Sequence, residues 1–269
     1  MNTPPGRSAQ LDRRTGRSVF GADAHGYHGS RSGYPEALFA YLQGRVAAAP
    51  RILEVGAGTG FASEGLLTFA PAHFTLIEPD PRLCDVLERR FGEDRVTVRQ
   101  GTFPEVRIEG PFDLVTCAAA FHWMEPRPAL ARIQEILAPG GIWAMWWNCY
   151  LGHGEVDPLA TRAMEILEDE RVALPPSFLA AGHYSLDTVG LTALLDEAGF
   201  REIEHRLYRS RRMLDPNQAR KLYESFSFIK VLEPAHRERI LDLIAEFVRK
   251  DLDGIAASVV VTSLFAATH

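Results

Sequence analysis

Arg51-Ile52-Leu53-Glu54-Val55-Gly56-Ala57-Gly58-Thr59-Gly60 joins an apolar, strand-like run to a turn that contains three glycines. A second apolar run, Phe74-Thr75-Leu76-Ile77, ends at Glu78, twenty-two residues after Gly56. Glycines allow the backbone to approach a ligand closely, and an acidic side chain at the next strand tip accepts hydrogen bonds from both ribose hydroxyls. The two runs together predict a nucleoside-binding crevice in an α/β fold.

The identity of the nucleoside depends on the residues around the glycines. A dinucleotide fingerprint needs a third glycine at position 61, but that position is Phe61 and the third glycine is Gly60. The negative charge of Glu54 would repel a pyrophosphate, whereas it would attract a ligand whose amino acid end carries an ammonium group. Here the chain resembles the class I S-adenosylmethionine-dependent methyltransferases, whose motif E/D-x-G-x-G-x-G matches the residues from Glu54 to Gly60.

This resemblance covers the chain from about Phe20 onward and implies both a fold and a cofactor. The implied fold is α/β, with a Rossmann-like, doubly wound, seven-stranded sheet that is mostly parallel. Its last strand is antiparallel, and helices form a substrate cap. The implied cofactor is S-adenosyl-L-methionine, with S-adenosyl-L-homocysteine as the product.

The family's cofactor contacts carry over to this chain position by position. A segment Tyr-x-x-x-Arg-x-x-Tyr-Pro folds over the cofactor in related enzymes, and it matches Tyr27, Arg31, Tyr34 and Pro35. Arg31 is expected to hold the cofactor carboxylate, while a tyrosine shields the sulfonium. The remaining expected contacts are Glu54, Gly56, Ala57, Gly58 and Gly60, then Glu78 and Pro79, Thr102 and Phe103, and Ala118 and Ala119. Thr102 replaces the acidic residue that is usual at the third strand tip.

Phe121-His122-Trp123 follows the predicted fourth strand and resembles a branch of the family that modifies small molecules. Methyl transfer requires in-line attack, so orientation and the exclusion of water supply most of the acceleration. When the acceptor is a hydroxyl or ammonium group, a neutral imidazole can remove its proton. His122 is the expected base, with His153 and His183 as weaker candidates. A structural or cofactor-lining role for His122 is the alternative.

The substrate is expected to contact aromatic and histidine side chains beyond the cofactor motifs. These residues are Trp123, Trp147, Tyr150, His153, Tyr184, Tyr223 and Phe226. The spacing of Tyr223, Phe226 and Lys230 places them on one face of a predicted helix over 216–230. Such a face suits either a pocket wall or core packing.

Helix and strand patterns alternate along the chain. The expected helices cover 35–48, 60–69, 81–91, 128–137, 157–171, 187–198, 216–230 and 234–250. Strands are expected from Arg51 and over 74–77, 95–99, 112–117, 142–147, 200–213 and 258–265. Residues 1–18 are expected to be a flexible tail and 19–269 a single methyltransferase domain. Within it, 19–150 would form the cofactor-binding core, and 151–185 with 215–250 the substrate cap.

Composition limits the classes of partner. The net charge of −6 disfavours a nucleic acid substrate. The three cysteines are far apart, which suggests neither disulfides nor zinc, and no metal is expected. No signal peptide or membrane span is apparent, so a cytoplasmic protein that does not bind membranes is expected. Only three lysines occur beside many arginines and alanines, a composition associated with GC-rich bacterial genes and specialised metabolism.

The sequence therefore predicts methyl transfer to an O, N or C atom of a small molecule. The main alternative is a protein of the same fold that binds the cofactor but catalyses cyclisation or decarboxylation. A nicotinamide oxidoreductase is disfavoured by Phe61 and Glu54, and a binding protein without catalysis is a further alternative. The oligomeric state is not predicted.

Overall fold

The computed structural model describes residues 33–92, 94–150, 156–174 and 183–269. The strands are β1 (Arg51–Val55), β2 (His73–Glu78), β3 (Val96–Gln100), β4 (Phe112–Ala118), β5 (Leu137–Cys149), β6 (Arg201–Leu214) and β7 (Ala256–Thr268). The helices are α1 (Glu36–Gln43), α2 (Phe61–Leu67), α3 (Pro81–Phe91), α4 (Pro126–Ile136), α5 (Pro158–Asp169), α6 (Thr188–Glu197), α7 (Pro216–Glu224), α8 (Ser227–Lys230) and α9 (Pro234–Asp251). Single 3₁₀ turns span Phe121–Trp123 and Tyr184–Leu186.

The strands form one seven-stranded sheet in the order β3-β2-β1-β4-β5-β7-β6. Pairs β1–β2, β1–β4, β2–β3 and β4–β5 are parallel. Strand β7 runs antiparallel to β5, since His269 bonds Gly141 while Thr262 bonds Asn148. The strand order reverses direction between β1 and β4, where ligands of open α/β sheets bind at the carboxyl ends of the strands. The predicted fold class is confirmed.

Most predicted elements are found within a few residues of their expected bounds, and helix α3 matches its prediction. The predicted helix over 216–230 is wrong, because the chain breaks into α7 and α8. Ser225 Oγ donates to the Leu222 carbonyl 2.5 Å away, and Phe226 adopts an extended conformation. Tyr223 therefore lies in α7, whereas Phe226 lies in the break between the two helices.

Two other boundaries differ from the predictions. Helix α1 ends at Gln43, before Gly44, and does not extend to residue 48. Strand β5 begins at Leu137, five residues before its expected start, and includes Pro139-Gly140-Gly141. Gly140 has φ of +73°, so a residue without Cβ lets the chain bend within the strand.

The chain divides into two compact units. The larger unit contains the described residues within 32–148, 187–208 and 262–269. One face of its sheet presents Ile52, Phe74 and Leu76, which pack against apolar side chains of α1, α2 and α3. Burial of these side chains fixes the strands whose tips carry the glycine turn and Glu78.

The smaller unit contains the described residues within 149–186 and 209–261. Its helix α9 packs against α5 and α7, and apolar side chains from all three helices are buried together. Helix α5 begins at Asp157, whose side chain accepts from Ala160 N at 2.8 Å and from Val259 N at 2.8 Å. One carboxylate thus caps the helix and joins it to β7.

Candidate cofactor site

The glycine turn after β1 is fixed by hydrogen bonds to the neighbouring strand. Gly56 N and Ala57 N both donate to the Ile77 carbonyl, at 2.8 and 3.0 Å. Gly56 has φ of +73°, and a Cβ there would lie 2.6 Å from Ala120 Cβ. Gly58 also has positive φ, but a Cβ there would meet nothing within 4 Å. The turn is therefore close-packed at Gly56 and open at Gly58, where a ligand can approach the backbone.

Glu78, at the end of β2, is oriented by the backbone on both sides. One of its oxygens accepts from Gly58 N at 2.9 Å, and the other accepts from Asp80 N at 3.0 Å. These two backbone donors fix the plane and direction of the carboxylate at the strand tip. The side chain is only 6% exposed, which keeps competing water away. This geometry suits a ribose.

Glu54, on β1, is a buried carboxyl group beneath the turn. Its side chain is 1% exposed and accepts a 2.6 Å hydrogen bond from Ser63 Oγ of α2. Burial, together with the nearby charge of Glu78, raises the pKa of Glu54 to about 8, although the Ser63 bond opposes the shift. A cationic ligand group would stabilise the ionised form, which agrees with an ammonium group as its expected partner.

The third and fourth strand tips lie at the same sheet edge. After β3, Gly101 N donates to the Glu78 carbonyl at 3.1 Å, and Thr102 O accepts from Val106 N at 2.8 Å. Phe103 is 5% exposed and packs into the interior. After β4, Ala119 has φ of +53°, and its N–H donates to Trp146 O at 2.8 Å. The structure thus brings the predicted cofactor residues from Glu54 to Ala119 to one edge.

His122 lies in the 3₁₀ turn that follows β4. Trp147 Nε1 lies 3.4 Å from His122 Nδ1, and the His122 and Trp123 rings are 4.5 Å apart. Because an indole nitrogen only donates, His122 Nδ1 accepts this bond, and the neutral ring carries its proton on Nε2. A role as base through Nδ1 requires the Trp147 bond to open.

The expected substrate residues fall into two groups. Trp123 and Trp147 belong to the larger unit, whereas Tyr150, Tyr184, Tyr223 and Phe226 belong to the smaller unit.

Tyr150, Tyr223 and Phe226 are buried in the apolar cluster of the smaller unit. The Phe226 ring lies 5.7 Å from that of Tyr150 and 5.5 Å from that of Tyr223. Burial raises the pKa of Tyr223. These contacts are those of core packing, and a role in substrate binding stays a prediction. Tyr184 is half-buried, with its ring 4.4 Å from His183.

The N-terminal segment is described only from Gly33. Tyr34 packs edge-on against Trp146, with ring centroids 5.8 Å apart. Tyr27, Arg31, the tail over 1–18 and His153 lie outside the described residues, so their expected roles stay predictions.

Sequence reasoning missed two partners in the site. Ser63 lies nine residues after Glu54, in the helix that follows the turn, and its spacing could have indicated a contact with the end of β1. The bond from Trp147 to His122 joins two strand ends, and no local spacing predicts it.

Comparison with known proteins agrees with the predicted class of protein. Residues 52–141 match the family described as "Methyltransferase domain". An uncharacterized methyltransferase-like protein of Schizosaccharomyces pombe is 27% identical over 243 residues, covering 88% of each chain.

Two solved structures share the fold. One is a candidate type II methyltransferase of Anaeromyxobacter dehalogenans, with a TM-score of 0.67, 21% identity, and coverage of 88% of this chain and 97% of that chain. Phosphoethanolamine N-methyltransferase 2 of Haemonchus contortus, solved with S-adenosyl-L-methionine, gives a TM-score of 0.52 at 17% identity, covering 97% and 58%.

The chain contains a match to a methyltransferase domain and has the fold of class I S-adenosylmethionine-dependent methyltransferases, as the sequence predicted. Residues 52–141 are the part of the chain that matches the methyltransferase domain. S-adenosylmethionine, the cofactor expected from the sequence, is the one bound in the Haemonchus contortus structure of the same fold. Within the described residues, no helix has the length and apolar character needed to cross a bilayer.

Proposed function

We propose that this protein transfers a methyl group from S-adenosylmethionine to an O, N or C atom of a small molecule. The observation that supports this proposal most is the orientation of the Glu78 carboxylate by two backbone N–H groups. The carboxylate lies beside Gly58, where a Cβ would meet no other atom within 4 Å. When bound, the cofactor supplies an electrophilic methyl group on a positively charged sulfur.

The residues of the chain have separable roles in this proposal. Glu78 accepts the ribose hydroxyls, Gly58 admits the ligand to the backbone, and Glu54 faces the ammonium end of the cofactor. His122 donates from Nε2 to the acceptor or to a water molecule and becomes a base only if the Trp147 bond opens. Binding and orientation, rather than a strong base, then supply most of the rate.

A small acceptor is supported by the charge of the chain. The net charge of −6 opposes a nucleic acid backbone. The Haemonchus contortus protein of the same fold is named for a small phosphorylated amine. Cytoplasmic specialised metabolism in a bacterium is the setting proposed for the reaction, from the composition of the chain.

The test is incubation of the purified protein with S-adenosylmethionine and a panel of small amines, phenols, carboxylic acids and thiols. The expected result is S-adenosylhomocysteine together with a product that has gained one methyl group. An acceptor that is converted without gaining a methyl group would support cyclisation or decarboxylation instead. Glu78→Ala should abolish product at low cofactor concentration, and Glu88→Ala, on the exposed surface of α3, is its control.

A further inference from the structure

The larger unit contains a polar cavity of about 390 Å³ that the cofactor site does not use. It lies on the sheet face opposite the one packed against α1, α2 and α3. Arg51 pairs with His73 and Thr75 pairs with Thr97 in the strand register, so their side chains project from the same face. Arg99 follows two residues after Thr97 and shares that face.

The cavity exists because the connection from β3 to β4 contains no helix. Parallel strands are usually joined by a helix that covers the sheet face. Here residues 101–111 cross as turns and irregular chain, which Arg132 secures by donating to the Ile108 carbonyl at 2.6 Å. Arg107 and Ile108 of this crossing line the cavity. The polar face of β2 and β3 is therefore left open to a ligand.

Three exposed arginines line this cavity, and one of them, Arg51, donates its backbone N–H to the Asp113 carboxylate at 2.7 Å. Arg51, Arg99 and Arg107 form no ion pair with any residue in the described ranges, whereas Arg132 and Arg90 of the same unit do. The Arg51 guanidinium lies 5.7 Å from the centre of the buried Phe112 ring, which supports it from one side. Glu109 is the single carboxylate in the described lining. The lining is therefore strongly cationic.

Three further side chains with hydrogen-bonding groups, those of His73, Thr75 and Thr97, also line the cavity. Thr75 is 5% exposed, and Thr97 Oγ1 lies 3.3 Å from His73 Nε2. Hydroxyls and an imidazole can each donate to an anionic oxygen, while guanidinium groups bind phosphate oxygens in pairs. The volume is within the range of small-molecule sites.

We propose that Arg51, Arg99 and Arg107, which line one cavity together with Thr75 and Thr97, form a second ligand site, for a small molecule that bears a phosphate or diphosphate group. The site is separate from the cofactor motifs. Arg51 is the first residue of β1, whereas the glycine turn follows its last residue. Five residues of strand separate these ends by roughly 13–16 Å.

The experiment measures binding of inorganic pyrophosphate to the full-length protein by calorimetry at low salt. Wild type should bind with a Kd of about 100 µM or tighter. Arg99→Gln combined with Arg107→Gln should weaken binding by about tenfold or more. Arg89→Gln, an exposed arginine on α3, removes a charge outside the cavity and should leave the affinity unchanged. S-adenosylhomocysteine binding, measured on every variant, confirms folding and tests the cofactor site separately.

Three results would overturn the proposal. One is the absence of pyrophosphate binding to wild type, and another is equal binding by the wild type and the double variant. Tighter binding of citrate than of pyrophosphate would replace the phosphate class by carboxylates.

Discussion

The cofactor edge of the larger unit and the aromatic cluster of the smaller unit are both rich in residues that suggested function, but the side chains in the two regions make different contacts. At the cofactor edge, Gly58 and Asp80 direct the Glu78 carboxylate. In the cluster, Tyr150, Tyr223 and Phe226 contact one another and are buried. A carboxylate held by backbone donors at the carboxyl end of a parallel strand, as Glu78 is, lies where α/β sheets bind ligands, whereas aromatic spacing alone does not separate a pocket from a core.

The largest expected effect breaks the aromatic cluster. Phe226→Ala should lower the free energy of unfolding by about 3–5 kcal/mol, because it leaves a cavity beside Tyr150 and Tyr223. Phe226→Leu keeps most of the volume and should cost much less. Chemical denaturation measures both. An alanine variant of unchanged stability with a raised KM for an acceptor would instead make Phe226 part of a pocket wall.

A second prediction concerns close packing at the glycine turn. Gly56 and Gly140 both have φ of +73°, but only at Gly56 would a Cβ meet another atom, Ala120 Cβ at 2.6 Å. Gly140→Ala should cost about 1–2 kcal/mol of stability from its backbone conformation alone. Gly56→Ala should cost about 1–3 kcal/mol more, from overpacking.

A second substitution separates the cost of the backbone conformation at Gly56 from the cost of overpacking against Ala120. Adding Ala120→Gly to Gly56→Ala should restore much of the excess loss, as measured by thermal and chemical unfolding. If Gly56→Ala and Gly140→Ala cost the same, the close approach of the turn to β4 is refuted.

A third prediction concerns the buried carboxyl group of Glu54. Its pKa is raised from 4.5 to about 8, so the native state holds a proton that the unfolded chain releases. The contribution of Glu54 to the free energy of unfolding is therefore greatest below pH 4.5 and falls as the pH rises towards 8. Between about pH 6 and pH 7.5, the wild type should lose about 2 kcal/mol that Glu54→Gln does not lose. If the free energy of unfolding changes equally with pH in the wild type and in Glu54→Gln, the raised pKa of Glu54 is contradicted.

The smallest expected effect concerns His122. His122→Ala should lower kcat by about tenfold or more while leaving cofactor affinity nearly unchanged. Trp147→Phe removes the donor to Nδ1 and tests whether that bond restrains the ring. Unaltered turnover in His122→Ala, measured on an acceptor identified by the panel, would remove His122 from the mechanism.

The sequence predicted the cofactor edge because its geometry is encoded locally. A glycine turn after an apolar run and an acidic residue at the next strand tip define neighbouring parts of one site. The helix break at Ser225 and the early start of β5 were not predictable in this way. The Ser225 side chain bonds a carbonyl three residues earlier, a contact that serine also makes inside continuous helices. Pro139-Gly140-Gly141 is a pattern that more often separates two elements than lies within a strand. The uncovered face beneath residues 101–111 also escaped prediction, because an irregular crossing has no periodic signal.

The central claim is that the edge formed by Gly58 and Glu78 binds S-adenosylmethionine, and calorimetric titration tests it most directly. S-adenosylhomocysteine should bind the wild type and Glu88→Ala with micromolar affinity, and Glu78→Ala with an affinity lower by about tenfold or more. NAD should give no signal. Binding of NAD alone, or equal S-adenosylhomocysteine affinity in the wild type and Glu78→Ala, would contradict the account.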